Sequence, residues 1–117
     1  MPFSVSHDQS VGIISIKGKF LGAKEGEAFK EAVNSLRDSG TKYAVLDLSG
    51  ADLMDSTGIG LTIRTLSTLQ AAGGDVVIAA LNARIKNLFL MTRLLGTVFK
   101  DYETVDEAVA SFGVTSS

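Results

Sequence analysis

The sequence predicts an α/β domain with a mixed β-sheet and helices packed largely on one face of that sheet. Two apolar runs, Tyr43–Leu48 and Val76–Ala80, are typical of parallel strands covered on both faces. Each run is followed by apolar residues at helical spacing, the alternation expected of an α/β fold. Before them, Phe3–His7 is joined by turn-forming residues to Val11–Lys17, which is rich in β-branched residues. These two segments predict an antiparallel pair with Phe3–His7 at the edge.

The other elements follow from periodicity, caps and glycines. Phe29, Val33 and Leu36 give residues 23–38 the pattern of an amphipathic helix. Two further helices are predicted, one from residue 55 to about Ala72 and one that is capped by Asn82 and ended by Gly96. A strand is predicted at Thr97–Phe99. The last predicted helix is capped by Thr104 and runs to about Phe112, after which Gly113–Ser117 is predicted to fray.

Composition bounds the class of protein. A chain of 117 residues suits one domain, predicted here as 1–117 with a structured core of about 3–112. The net charge of -2 argues against binding to nucleic acid, and the absence of cysteine excludes a disulfide scaffold and thiolate chemistry. The start lacks a signal peptide, and no apolar run approaches the roughly 20 residues that span a bilayer. We therefore expect a cytoplasmic protein without direct membrane insertion.

The stretch Asp55–Gly60 joins the first buried strand to the helix that follows it. A helix start offers unpaired N–H groups and partial positive charge, which favour an anion such as phosphate. The stretch also contains Gly58 and Gly60, and each glycine costs a helix up to about 1 kcal/mol relative to alanine. Close approach by another molecule is one reason to accept that cost. The plainer alternative is a helix start capped by Asp55 or Ser56.

Catalytic chemistry finds little support in the sequence. A nucleophilic Ser56 needs a base, and the single histidine, His7, lies on the predicted edge strand. Met54 stands where a nucleophile elbow requires its first glycine, and no phosphate-binding loop with its lysine is present. Asp47 and Asp52 have no histidine near them in sequence. We therefore predict no enzyme activity, no catalytic residue, no metal and no cofactor.

Two helices carry more apolar residues than one core-facing stripe can use. The helix after Asn82 has Leu90 and Met91 in addition to its core positions, and on the junction helix Leu61 points away from the predicted stripe, beside Arg64. A helix buried deep in the core is the simpler explanation. The alternative is an exposed apolar patch that meets a partner. We expect Leu61, Arg64, Leu90 and Met91 to contact a partner protein.

The residues Leu53–Gly60 resemble the phosphorylation-site motif of the STAS domain in bacterial anti-sigma factor antagonists. The resemblance continues at Gly73–Val77, which is similar to the family's glycine-rich step into a strand, and at Ile85–Phe89, similar to its next helix. It covers roughly residues 43–112, and the strand–strand–helix beginning of the chain fits as well.

The resemblance implies a protein that is a substrate of a kinase and not itself an enzyme. Such antagonists bind a cognate anti-sigma factor that is a GHKL-type ATPase with serine kinase activity, and thereby free the sigma factor. Phosphorylation releases the antagonist, and a phosphatase restores it. The modified residue falls on Ser56, within a motif that includes Asp55, Thr57, Gly58 and Gly60. We expect a side chain at Gly58 to obstruct the partner more than it disturbs the fold.

One segment departs from the family pattern. Antagonists usually carry Gly-Glu-(Leu/Ile)-Asp after the second strand, whereas this chain has Gly18-Lys19-Phe20-Leu21. The family's fold places that loop beside the phosphorylation site, so the exchange of its acidic pair for Lys19 and Leu21 bears on kinase recognition. It keeps open an alternative: a STAS docking subunit of a transporter or lipid-trafficking assembly that is not phosphorylated.

Overall fold

One five-stranded mixed sheet organises the chain, in a computed structural model that describes residues 3–113. Its strands are β1 (Phe3–Asp8), β2 (Val11–Phe20), β3 (Tyr43–Met54), β4 (Asp75–Ala79) and β5 (Asp101–Tyr102). They lie side by side in chain order; β1 is antiparallel to β2, and every other neighbouring pair is parallel. The predicted mixed sheet with an antiparallel edge strand and parallel inner strands is confirmed.

Four helices cover the sheet unequally. They are α1 (Gly22–Asp38), α2 (Ser56–Ala71), α3 (Ala83–Met91) and α4 (Val105–Ala110). The main core lies under α1, α2 and α3, whose Phe29, Leu69 and Phe89 are fully buried. On the opposite face α4 contributes Ala108 and Val109 to a smaller cluster with Val45. The prediction of helices packed largely on one face is confirmed.

The central strands are longer than their apolar runs predict. β2 continues to Phe20 and β3 to Met54, because the two strands pair as far as Phe20 and Met54. Two register shifts let the ladder continue past the glycines of this region. The connection between the predicted strand Val11–Lys17 and the predicted helix at residues 23–38 therefore shrinks to Leu21, and α1 begins immediately at Gly22.

The segment after α3 differs most from the prediction. The helix ends at Met91 instead of continuing to Gly96. The prediction of a strand at Thr97–Phe99 is wrong. Phe99 forms only an isolated bridge with Leu95, and the last strand is Asp101–Tyr102. Phe99 is buried against Phe89, so its apolar character reflects packing between loop and helix instead of strand pairing.

The predicted caps of the last two helices are confirmed. The Asn82 side chain accepts a hydrogen bond from the Ile85 N–H at 3.0 Å, and Thr104 Oγ1 accepts one from the Glu107 N–H at 3.1 Å. α4 ends at Ala110, followed by a turn through Gly113. The rest of the tail predicted to fray lies outside the described residues.

Candidate functional site

The junction at Asp55 lies at the tip of a two-stranded ribbon. The pairing of β3 with β4 ends at Asp47 and Ala79. From residue 48 to residue 54, the one strand among the described residues that pairs with β3 is β2. Residues 48–54 of β3 therefore project past the rest of the sheet together with the end of β2. The junction thus stands at the carboxyl ends of parallel strands, where α/β sheets commonly bind their ligands.

The carboxylate of Asp55 caps two helices at once. Its Oδ1 accepts a hydrogen bond from the Gly58 N–H at 2.6 Å and another from the Gly22 N–H at 3.0 Å. The first caps α2, as the capping alternative predicted, and the second reaches α1, whose own N-cap, Leu21, offers no side-chain acceptor. The starts of α1 and α2 are therefore held together by one side chain.

These hydrogen bonds keep Asp55 ionised. Donation from the Gly22 N–H, and then from the Gly58 N–H, lowers the pKa of the Asp55 carboxyl against the smaller opposing effect of desolvation. The carboxylate form is thus the form that the folded domain stabilises.

We expect part of the acid sensitivity of the fold to come from Asp55. Because its pKa is lower in the folded state, its contribution to the free energy of unfolding is complete above the ordinary aspartate pKa of about 3.9. That contribution is lost as the pH falls through the lower folded-state pKa. Urea unfolding of wild type and Asp55→Asn across this range should show wild type more stable at neutral pH and the difference shrinking in acid. A difference that does not change with pH would contradict the double-cap assignment.

Gly58 is buried and serves an internal contact. A Cβ built on it would lie 2.5 Å from the Phe20 carbonyl oxygen and 3.1 Å from Asp55 Oδ1. A Cβ on Gly22 would likewise overlap the backbone of Thr57. The close approach at Gly58 is therefore between α1, the end of β2 and α2 of the same chain, which the sequence did not predict, and the expected effect of a side chain here on a partner stays a prediction.

Gly60 has the open surroundings that Gly58 lacks. It is exposed, and apart from its chain neighbours and the adjacent backbone of α2, no atom of the described residues lies within 4 Å of a Cβ built on it. Ser56, Gly60 and Arg64 follow one another at intervals of four along α2 and are all exposed, so they share one helix face. Thr57 is exposed beside them. The packing of the described residues does not account for a glycine at 60.

Leu61 is not on the surface. Its side chain is 6% exposed and lies in the main core, where it lines a small space between the helices with Phe29 and Val33 of α1. The expectation that Leu61 points outward is wrong because α1 covers this side of α2. The predicted exposure of Leu90 and Met91 is confirmed, at 51% and 81%.

The exposure of Leu53 and a second hydrogen bond of Asn82 at the junction were not predicted from the sequence. Leu53 is 46% exposed at the ribbon tip, two positions before Asp55. Asn82 caps α3 and also donates from its side-chain amide to the Ala51 carbonyl oxygen at 2.6 Å, which ties α3 to the ribbon. Leu53 follows the apolar run Tyr43–Leu48 in a mixed stretch whose pattern predicts neither burial nor exposure, and the second bond of Asn82 joins residues 31 apart.

The segment that departs from the family pattern lies at the ribbon tip. Lys19 is exposed and pairs in the ladder with Leu53, while Phe20 pairs with Met54. Leu21 is partly buried just before α1. The positive charge of Lys19 thus replaces the family's acidic residue beside the strand that leads into Ser56.

The structure does not bring Ser56 and His7 together. His7 pairs with Gly12 at the start of β2, whereas the junction follows Met54 of β3, which pairs with Phe20 at the far end of β2, roughly 26 Å along an extended strand. The His7 ring instead lies 3.1 Å from Thr41 Oγ1. Within residues 3–113, no cluster of three or more potential metal-ligating side chains was found. Over the same residues, no helix has the length and apolar character needed to cross a membrane.

Comparison with known families agrees with this architecture. The sequence model of the STAS domain matches residues 3–108, and the chain belongs to the STAS domain family. The anti-sigma-B factor antagonist of Staphylococcus aureus is 34% identical to the chain over 65 residues, which are 56% of this chain and 60% of that protein. The alignment thus spans less than two thirds of that relative.

Solved structures show the same fold at lower identity. A Thermotoga maritima protein described as an anti-sigma factor antagonist superposes with a TM-score of 0.83 at 22% identity, covering 93% of this chain and 92% of that one. A sulfate transporter family protein from Wolinella succinogenes has a TM-score of 0.76 at 15% identity, covering 91% and 87%. The STAS fold therefore occurs both in sigma-factor regulators and in transporter families.

Proposed function

We propose that this chain is an anti-sigma factor antagonist that is switched off by phosphorylation of Ser56. It binds an anti-sigma factor that is a GHKL-type serine kinase, in the bacterial cytoplasm, and a phosphatase acting on phospho-Ser56 restores it. It acts by binding and has no catalytic site of its own. The observation that carries the proposal is the placement of Ser56, exposed at the first position of α2 in a chain of the STAS family.

The division of roles at the junction supports Ser56 as the modified residue. Asp55 supplies the cap of α2, so the Ser56 hydroxyl is not needed for capping and makes no hydrogen bond to the other described residues. A phosphoryl group there would sit at the start of a 16-residue helix, whose dipole and early N–H groups favour negative charge. Phosphorylation can therefore be accommodated without unfolding the domain.

The assignment of Ser56 is tested by mapping phosphate on the chain. Wild type, Ser56→Ala and Thr57→Ala are incubated with ATP and a purified anti-sigma factor kinase that binds the chain, and the products are analysed by mass spectrometry. Thr57 is the matched control, because it is an exposed hydroxyl residue directly beside Ser56. We expect phosphate on wild type and Thr57→Ala and none on Ser56→Ala. Phosphate on Thr57, or a bound kinase that leaves wild type unmodified, would overturn the assignment.

The apolar end of α3 extends the proposed partner surface. Leu90→Asp and Met91→Asp should each weaken binding to the anti-sigma factor by tenfold or more, about 1.4 kcal/mol, with little change in the thermal midpoint. Leu61→Asp is the contrast, because a charge in the core should destabilise the fold by at least the roughly 2–5 kcal/mol of a leucine truncation. Calorimetric titration and thermal melts measure the two effects. Unchanged affinity in both α3 variants would remove α3 from the surface.

The alternative function is a docking subunit without phosphorylation. It is favoured by Lys19, which places a positive charge beside Leu53 where sigma-factor antagonists usually carry an acid, and by the shared fold of a transporter-family protein. Lys19→Glu restores the family charge and separates the two functions. A chain that is phosphorylated only after this substitution belongs to the docking class, whereas phosphorylation of wild type supports the antagonist.

A further inference from the structure

The two edges of the sheet are protected very differently. The edge formed by β5 is two residues long and carries Asp101, with Glu103 directly after it. Short length and charge are common devices that stop a sheet edge from pairing with another chain. The β1 edge is six residues long, contains neither lysine nor proline, and pairs with β2 without a register shift. Apart from the charge of Asp8 at its last position, the β1 edge therefore lacks the usual protection.

The outer side of β1 is free to form hydrogen bonds. In the described part of the chain its strand neighbour is β2 alone, so half of its backbone N–H and C=O groups face away from the sheet. Val5, which is 38% exposed, stands on this strand. Such an edge is a template for one more strand.

A groove runs between β1 and the adjacent helix. It has a volume of about 300 Å³ and is lined by Val5 and His7 of β1, by Ala32, Ser35 and Leu36 of α1, and by Ser39, which follows the last residue of α1. Ala32 and Ser35 of α1 and the cap residue Ser39 recur at helical spacing along one side of this helix. A second helix could approach this face closely because these side chains are small.

We propose that β1 pairs antiparallel with β1 of a second copy of this chain, so that the two sheets become continuous and the two α1 helices pack together. A second copy suits this edge because a twofold contact satisfies both strand edges and covers both grooves with the same elements. In the register that sets Phe3 opposite Asp8, no two like charges face each other, since Asp8 is the single acidic residue of β1 and the strand has no lysine or arginine. The proposal is independent of the function of Ser56.

The size of this contact indicates a weak dimer. A six-residue strand is about 20 Å long, and a sheet with one helix layer is about 20 Å thick, so each copy buries roughly 400 Å². This is about half of the area per partner in a standard stable interface. We therefore expect weak association, with monomer dominating in dilute solution.

Sedimentation equilibrium over a concentration series up to roughly 1 mM tests the proposal. Ser35→Arg fills the helix face of the contact, and Ser6→Lys places two like charges near the twofold axis; both positions are exposed, so both variants should remain folded. Ser67→Arg is the matched control, because Ser67 is an exposed serine on α2 that does not line the groove. Circular dichroism confirms that each variant is folded.

Wild type and Ser67→Arg should approach twice the monomer mass, and Ser35→Arg and Ser6→Lys should weaken the association by tenfold or more. Wild type that remains monomeric at the highest concentration would overturn the proposal. So would a dimer that persists unchanged in both edge variants, because it would have to use another surface.

Discussion

Gly58→Val should lower the free energy of unfolding by about 3 kcal/mol or more, or prevent folding, because the new side chain meets backbone that cannot yield. Its Cβ would lie 2.5 Å from the Phe20 carbonyl oxygen. Relief requires moving the end of β2 or the start of α2, and either movement disturbs the hydrogen bonds that Asp55 makes to Gly22 and Gly58. Urea unfolding, with circular dichroism as the probe, measures the loss.

Gly60→Ala is the matched control in the same helix. Because a Cβ at this position meets open space, the substitution should stabilise the free domain by up to about 1 kcal/mol, the difference in helix propensity between glycine and alanine. A Gly58→Val variant as stable as wild type would contradict the claim that the Phe20 backbone leaves no room for a side chain at position 58. If Gly60→Ala were strongly destabilising, the open surroundings of Gly60 would be wrong.

Phosphorylation of Ser56 should lower the affinity for the anti-sigma factor by about a hundredfold, without unfolding the domain. The phosphoryl group adds a charge of about -1.5 to -2 at neutral pH, next to the Asp55 carboxylate. A partner that covers Ser56 must remove water from that charge, and each 1.4 kcal/mol of unrecovered hydration costs tenfold in affinity. The α2 dipole offsets part of the charge within the domain but not at the partner's surface.

The effect is measured by titrating the anti-sigma factor with phosphorylated and unphosphorylated chain, with a thermal melt of each form. Ser56→Ala should bind as wild type does, and Ser56→Asp should bind less tightly, with a smaller loss than phosphorylation because it adds one charge. Thr57→Asp adds the same charge one position further into α2 and shows whether the effect is local to Ser56. Equal affinity of the phosphorylated form would contradict a switch that works by charge.

Local patterns in the sequence were sufficient for the order and type of most elements. β-Branched residues, turn-forming residues and continuous apolar runs predicted β1 to β4, and helical spacing predicted the helices. The caps Asn82 and Thr104 act where the sequence predicted them. The junction at Asp55–Gly60 could also be predicted, because an apolar strand, a capping residue and a helical pattern follow one another within a few positions. All of these signals arise between residues close together in the chain.

Tertiary packing decided which surface of each element is free. The same helical pattern suits an exposed or a buried Leu61, and burial follows from α1, which lies across that side of α2. Gly58 is required by the Phe20 backbone, and Asp55 holds Gly22, 33 residues earlier in the chain. The strand at Asp101–Tyr102 depends on pairing with β4. Such contacts join distant segments, so periodicity and local propensity carry no information about them.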